Sequence, residues 1–176
     1  PNSGTCEVLG YPSEQRNPNM LSELYFVPEE FYVPSLTPKQ YVFRYAPYYP
    51  RFNEEQFYGY LKEFQLDADV RLTGMSYGQK KKVILSFAMA TNCKLLILDE
   101  PTNGLDIPSK SQFRKLLAGS IDDDQTYIIS THQVRDLSNL MDPILILDHG
   151  KVLFNESIQA VSDRLAFDIV HTAREP

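Results

Sequence analysis

The residues best suited to chemistry are two adjacent carboxylates, Asp99 and Glu100, which directly follow the apolar run LLIL at residues 95–98. A short continuous apolar run is typical of a strand buried in a parallel sheet. In such sheets, ligands bind just beyond the carboxyl ends of the strands. The pattern therefore favours a functional pair at a strand end, although a helix-capping Asp beside a solvated Glu would have the same sequence.

A second candidate segment is SYGQKKK at residues 76–82. Ser76 and Gln79 have capping-box spacing, which predicts that a helix begins there. The three lysines at residues 80–82 would then lie near its start, where positive charge opposes the helix dipole. That arrangement suits a phosphate docked on the exposed N–H groups, whereas a solvated lysine face is the plainer alternative.

A third candidate is His132, which follows the apolar run YIIS at residues 127–130. It is expected at the same sheet edge as Asp99 and Glu100, and this shared position favours a functional over a structural role. The three histidines of the chain have no metal-ligand spacing, so no structural metal site is expected.

The secondary structure that must position these residues is predicted to differ between three regions of the chain. Residues 1–36 are punctuated by prolines and predict short strands and loops of the core. Residues 37–91 predict a helical subdomain, with helix starts after Thr37 and Asn53. Residues 92–176 alternate short apolar runs with helical segments, which predicts an α/β layer around a mainly parallel sheet.

More specific expectations concern this last region. Three apolar runs predict buried strands, namely KLLILD (94–99), TYIIS (126–130) and PILILD (143–148). Two segments between them predict helices, SKSQFRKLLAG (109–119) and QVRDLSNLM (133–141). The run ILILDHGKVLFN, centred on His149-Gly150, predicts a hairpin at the sheet edge.

Composition excludes several classes of protein. The 176 residues carry a net charge of −6, from 17 basic and 23 acidic side chains, which argues against nucleic-acid binding. No apolar run approaches the roughly 18 residues of a transmembrane helix. With only Cys6 and Cys93, a disulfide framework is not expected and a reducing compartment fits better.

Four segments, in order and at suitable distances, resemble the nucleotide-binding domain of ABC-type ATPases. They correspond to the signature motif, the Walker B strand, the D-loop and the switch-histidine loop, here MSYGQ (75–79), LLILDE (95–100), NGLD (103–106) and STH (130–132). FVPEE at residues 26–30 stands where the family has its Q-loop. The resemblance implies an α/β, P-loop NTPase-like fold with a mainly parallel sheet, incomplete in this chain, and a helical signature subdomain.

The resemblance also implies a role for each candidate residue. Glu100 would act as general base and His132 would contact the γ-phosphate of ATP. Asp99 would hold Mg²⁺. In a head-to-tail dimer with a second nucleotide-binding domain, the partner's ATP would be bound by Ser76, Gly78 and Gln79. Asp106 would lie at that dimer interface, and Glu29, where the family usually has glutamine, would reach Mg²⁺ or water.

Besides Glu29, the sequence departs from the family pattern at two places. The phosphate loop G-x-x-x-x-G-K-[ST] does not occur, since the single Gly-Lys pair, Gly150-Lys151, is followed by valine. We therefore expect the chain to be the C-terminal part of a longer domain, and not to hydrolyse ATP alone. Tyr77 replaces a signature glycine, and its side chain is expected to point away from the nucleotide.

The implied function is that of an ATP-hydrolysing subunit of an ABC transporter of exporter type. Such a subunit is cytoplasmic and is held at the inner face of the cell membrane by separate transmembrane permease subunits. Eight aromatic residues would form either a docking groove or a helical core: Phe26, Phe31, Tyr32, Tyr41, Phe43, Tyr45, Tyr48 and Tyr49. A soluble ABC-type ATPase of DNA repair or translation, and a non-catalytic binding or regulatory domain, remain the alternatives.

Overall fold

The computed structural model describes residues 3–133, 137 and 140–164. The chain divides into two compact units, Pro1–Asp136 and Leu137–Pro176. The first unit contains the strands β1 (Glu7–Val8), β2 (Tyr11–Pro12), β3 (Leu24–Val27), β4 (Leu95–Asp99) and β5 (Thr126–Ser130). Its helices are α1 (Pro18–Leu21), α2 (Pro38–Tyr45), α3 (Glu54–Glu63), α4 (Tyr77–Ala90) and α5 (Ile107–Ser120).

A parallel sheet in the order β3-β4-β5 is the centre of this unit, as the apolar runs at 94–99 and 126–130 predict. The register pairs Leu98 with Val27 on one side and with Ile129 on the other. Leu96, Leu98 and Val27 are buried, because α4 packs on the sheet face that carries them. The α/β fold expected from the sequence is therefore confirmed.

The opposite sheet face is only partly covered. The register aligns Phe26, Ile97 and Ile128 across the three strands on this face. Phe26 is 50% exposed and Ile128 is 52% exposed. The run at 126–130 is thus half-buried rather than buried.

The helix starts lie where the capping signals predict them. Thr37 and Gln40 form a reciprocal capping box at α2. Ser76 and Gln79 form another at α4. Asn53 accepts a hydrogen bond from the backbone N–H of Gln56 at the start of α3. These contacts satisfy N–H groups that have no partner inside the helix.

Several of the aromatic residues pack into a core around Phe87 of α4. Its ring lies within 4.9–6.2 Å of five other rings, those of Tyr25, Tyr41, Tyr49, Phe52 and Phe57. Tyr45 stacks on Tyr41 with the ring centroids 4.4 Å apart. Core packing therefore accounts for part of the aromatic set, while Tyr32, Phe43 and Tyr48 remain exposed.

The second unit contains a hairpin, β6 (Ile144–Asp148) and β7 (Lys151–Glu156), followed by α6 (Ile158–Arg164). The turn residues His149 and Gly150 both have positive φ, as a type I′ hairpin turn requires. The expectation of a sheet-edge position was wrong, because β6 and β7 bond only to each other among the described residues. The expected burial of β6 was wrong too, since Leu145, Ile146 and Leu147 are 51%, 49% and 65% exposed.

The two helices predicted between the apolar runs have different outcomes. The helix predicted over residues 133–141 falls mostly outside them. The predicted helix at residues 109–119 is present within α5. Among the residues described, no helix has the length and apolar character needed to cross a membrane.

The two cysteines are expected to differ sharply in reactivity. Burial raises the pKa of the Cys93 thiol to about 11, whereas Cys6 is exposed. Because the thiolate is the nucleophile, iodoacetamide at pH 8 should alkylate Cys6 alone in the folded protein. Both thiols should react after unfolding in guanidinium chloride. Mass spectrometry of the two samples tests this, and equal labelling of both thiols in the folded protein would contradict the burial of Cys93.

Candidate functional site

The candidate carboxylates lie where β4 ends against β5. Asp99 is the last residue of β4 and pairs with Ser130, the last residue of β5. The Ser130 hydroxyl donates a hydrogen bond to the Asp99 carboxylate. Asp99 is therefore not a helix cap, and its carboxylate stands at the carboxyl edge of the sheet.

Glu100 turns out of the strand with a left-handed backbone, at φ +43°. Its N–H still donates to the Ser130 carbonyl, at 2.9 Å. Its carboxylate is mostly buried, with 13% of the side chain exposed. The Thr131 hydroxyl donates to one carboxylate oxygen at 3.2 Å, and the His132 N–H to the other at 2.8 Å.

The structure brings His132 and Glu100 together, as the strand-end argument predicts. Imidazole Nδ1 lies 2.6 Å from the Glu100 Oε1 atom. The His132 side chain is nevertheless 68% exposed, and the Gln133 side-chain amide nitrogen lies 3.5 Å from its other ring nitrogen, Nε2. A carboxylate this close to Nδ1 fixes the orientation of the imidazole ring.

Glu29 joins this edge through the turn that follows Glu100. Asn103 Nδ2 donates to the Glu29 carboxylate at 2.7 Å. Gln133 Nε2 in turn donates to Asn103 Oδ1 at 2.8 Å. The loop after β3, the turn after β4 and the loop after β5 are therefore linked by side-chain hydrogen bonds.

The lysines of α4 do not form the cationic cluster that the sequence suggested. Lys81 is fully buried, and its ammonium donates to the Glu29 backbone carbonyl at 3.3 Å. Burial lowers the pKa of Lys81, and the carboxylates of Glu29, Asp99 and Glu100 act in the opposite direction. Lys82 lies over the Phe64 ring, 5.7 Å from its centroid. Helical spacing points these side chains in different directions, so neither proposed reading holds for Lys81.

The signature-like residues lie at the start of α4, where Ser76 and Gln79 cap the helix. Gly78 approaches the Gly104 carbonyl so closely that an added Cβ would lie 2.8 Å from that oxygen. The Tyr77 ring packs against Gly104, and its hydroxyl donates to the Glu29 carbonyl at 2.7 Å. Tyr77 thus points toward the Glu29 loop.

Asp106 lies apart from these contacts as the N-cap of α5. Its carboxylate accepts the Ser109 N–H at 2.8 Å. Hydrogen bonds from the Ser109 side chain and backbone hold the pKa of Asp106 below its usual range. A capping role accounts for the residue within one chain.

The carboxylates at this edge could hold Mg²⁺ only together with ligands from outside the chain. Within the described part of the chain, no three His, Cys, Asp or Glu side chains form a metal-binding group. Mg²⁺ is commonly held by one or two carboxylates together with substrate phosphates and water. Asp99 therefore fits as one ligand of a metal that arrives with a phosphate substrate.

Sequence reasoning missed several polar partners of the site. Ser130 and Thr131 could have been found from the same strand-end argument that selected His132, because they are its immediate neighbours. Gln133, which adjoins His132, could have been found in the same way, whereas Asn103 had no comparable signal because its partners Glu29 and Gln133 lie 74 and 30 residues away in the sequence.

Comparison with known proteins identifies the family. A family model described as ABC transporter matches residues 1–103. The chain is 32% identical over 159 residues to the SkfA peptide export ATP-binding protein SkfE of Bacillus subtilis, which covers 87% of this chain and 66% of that protein. It is 35% identical over 97 residues to the energy-coupling factor transporter ATP-binding protein EcfA2 of Mycoplasmoides gallisepticum, which covers 53% of this chain and 30% of that protein. The chain belongs to the ABC transporter family and spans less than two thirds of the length of these relatives.

Solved structures agree on the fold. An ATP-binding subunit of an ABC transporter matches 93% of this chain and 71% of its own, with a TM-score of 0.80 at 22% identity. A bacterial Atm1-family ABC exporter with ATP bound matches 92% of this chain and 30% of its own, with a TM-score of 0.72 at 19% identity. At these identities the likeness concerns the fold alone, which is that of the ATPase domains.

The close approach of Gly78 to Gly104 can be tested by its effect on the free energy of unfolding when Gly78 is replaced. Gly78→Ala would place a methyl group against a backbone oxygen, so we expect a loss of about 1–3 kcal/mol in the free energy of unfolding. Gly59→Ala is the matched control. It lies within α3 with nothing within 4 Å of its added Cβ, and should gain about 0.5–1 kcal/mol. Urea unfolding measures both, and a gain in both variants would contradict the contact.

Proposed function

We propose that this chain is the catalytic part of an ATP-hydrolysing subunit of an ABC transporter. The observation that carries the proposal is the Glu100–His132 pair, held at 2.6 Å where two parallel strands end. Together with Asp99 it offers a carboxylate for a metal, a carboxylate for a water molecule and an imidazole for a phosphate. Family membership makes ATP the expected substrate.

Each residue of the pair has a distinct task in this proposal. Glu100 accepts a hydrogen bond from the attacking water and takes its proton as general base. Three donors already orient its carboxylate, and a fourth lone-pair position remains for water. His132 contacts the γ-phosphate through the side of its ring that faces away from Glu100 and stabilises the charge that develops there. Asp99 would hold Mg²⁺, which supplies charge neutralisation at the phosphates.

We further propose that two such subunits associate head to tail around ATP. The start of α4 has N–H groups without helical partners and a capping serine, which suits a phosphate. Ser76, Gly78 and Gln79 would bind the γ-phosphate of the nucleotide held by the second subunit. Asp106 would lie at the shared interface, where its ionised carboxylate at the N-cap of α5 is exposed.

Export is the proposed direction of transport. Two relatives bear export in their names, the SkfA peptide exporter protein SkfE and the Nod factor export protein I of Neorhizobium galegae. The subunit would then be cytoplasmic, at the inner face of the membrane and attached to transmembrane permease subunits. The exposed aromatic residues Tyr32 and Phe43, at 89% and 86% exposure, supply apolar surface for that attachment.

Hydrolysis is tested by Glu100→Gln in the protein expressed from its complete reading frame. We expect turnover to fall at least about 100-fold, because the amide cannot take the proton from water. ATP binding should persist, since the side-chain shape is retained. Glu55→Gln, an exposed residue of α3, is the matched control.

The same assay includes residues 1–176 alone, which we expect to show no turnover because they lack a phosphate loop. Turnover that survives Glu100→Gln would refute the general-base assignment. Turnover by residues 1–176 alone would refute the requirement for the loop.

Permease attachment is tested by Tyr32→Ala combined with Phe43→Ala. Removing these two exposed rings should lower the amount of membrane subunit that co-purifies, by about tenfold or more if both are interface hot spots. Leu21→Ala, at a partly exposed apolar residue of α1, is the control. Undiminished co-purification with the double variant would exclude this surface.

A further inference from the structure

Two side chains of α4 converge on one backbone carbonyl. Tyr77 Oη donates to the Glu29 carbonyl oxygen at 2.7 Å, and Lys81 Nζ donates to the same oxygen at 3.3 Å. The two residues are four apart on the helix and so project from the same face. A carbonyl oxygen has two lone pairs, and both are used here by one helix.

The Phe31 ring lies close to the side chains of both donors. Its centroid is 5.5 Å from the Tyr77 ring centroid, and Lys81 Nζ lies 5.5 Å from the Phe31 centroid. A fully buried ammonium is costly unless it finds compensating partners, and the carbonyl and the ring supply them. The Glu29 loop is thus attached to α4 through both its backbone and a side chain.

Glu29 is held at its other end by the turn that follows β4. Its carboxylate accepts the Asn103 side-chain N–H at 2.7 Å. Gly104, the next residue, leaves room for the Tyr77 ring, since an added Cβ there would lie 2.5 Å from Tyr77 Cε1. Helix, loop and turn therefore meet around a single glutamate.

We propose that Tyr77 and Lys81 are positioning residues, which fix the Glu29 carbonyl so that the Glu29 carboxylate stays at the edge occupied by Asp99 and Glu100. This inference rests on the proposed ATPase function. A glutamate side chain has three rotatable bonds, and anchoring its backbone removes the movement that would carry the carboxylate away. Small displacements of groups around reacting atoms cost rate.

This proposal explains why a tyrosine rather than the usual signature glycine is useful at position 77. A glycine at position 77 would offer neither a hydroxyl for the Glu29 carbonyl nor a ring for Phe31. Tyr77→Phe separates the two contributions, because it retains the ring that packs on Gly104 and removes only the hydroxyl donor. Lys81→Met similarly retains an unbranched buried chain and removes the ammonium.

The experiment uses the protein from its complete reading frame and measures two properties. The first is hydrogen exchange of the backbone amides at residues 29–33, which reports on the loop whether or not ATP is hydrolysed. The second is the steady-state kcat and KM for ATP. For Tyr77→Phe we expect exchange to rise about fivefold and kcat to fall about fivefold, with KM changed by less than about twofold.

Tyr48→Phe is the matched control, since it removes one hydroxyl from an exposed tyrosine that makes no hydrogen bond among the described residues. Faster loop exchange with a lower kcat in Tyr77→Phe, and a change in the same direction in Lys81→Met, would support the proposal. Unchanged exchange in Tyr77→Phe would overturn it, as would faster exchange with an unchanged kcat. Absence of turnover in the unmodified protein would instead refute the proposed ATPase function, and the exchange data would still decide whether Tyr77 anchors the loop.

Discussion

The parallel register of β4 with β5 is the constraint on which the candidate site depends. It sets Asp99 beside Ser130, and the next backbone hydrogen bond joins Glu100 to the Ser130 carbonyl. The loop after β4 and the loop after β5 therefore begin side by side at the carboxyl edge of the sheet. A slip of one residue would turn every side chain of a strand to the other face, so burial of Leu96 and Leu98 protects the register. Packing in the core thus fixes the positions of polar groups at the edge.

The second constraint is the close approach of α4 to the turn after β4. Gly78 and Gly104 allow backbone contact, and the space above Gly104 is filled by the Tyr77 ring. The buried ammonium of Lys81 attaches the same helix to the Glu29 loop. An arrangement so dense tolerates little change in volume. A shift of α4 would therefore be transmitted to Glu29, which Tyr77 and Lys81 contact directly, and through the Glu29 carboxylate to Asn103.

The sequence predicted what depends on neighbouring residues and missed what depends on distant ones. The capping boxes at Thr37 and Ser76 are local patterns, and both formed. The meeting of Glu100 with His132 was predictable because parallel strands bring their carboxyl ends to one edge. Burial of Lys81 was not, because its carbonyl partner lies 52 residues earlier in the chain. The exposure of β6 was missed for a related reason, since an apolar run indicates a strand and does not say what covers it.

The left-handed backbone at Glu100 explains how two adjacent carboxylates can serve one edge. Successive side chains of an extended strand point to opposite faces, so Asp99 and Glu100 would diverge if β4 continued. The φ of +43° breaks that alternation and lets Glu100 reach Thr131 and His132 while Asp99 contacts Ser130. Such a conformation costs a residue with a side chain about 1–3 kcal/mol, and three hydrogen bonds to the carboxylate offset it. The strain is therefore located at the residue proposed as general base, where a divergence of the two carboxylates would separate the metal ligand from the water that it must serve.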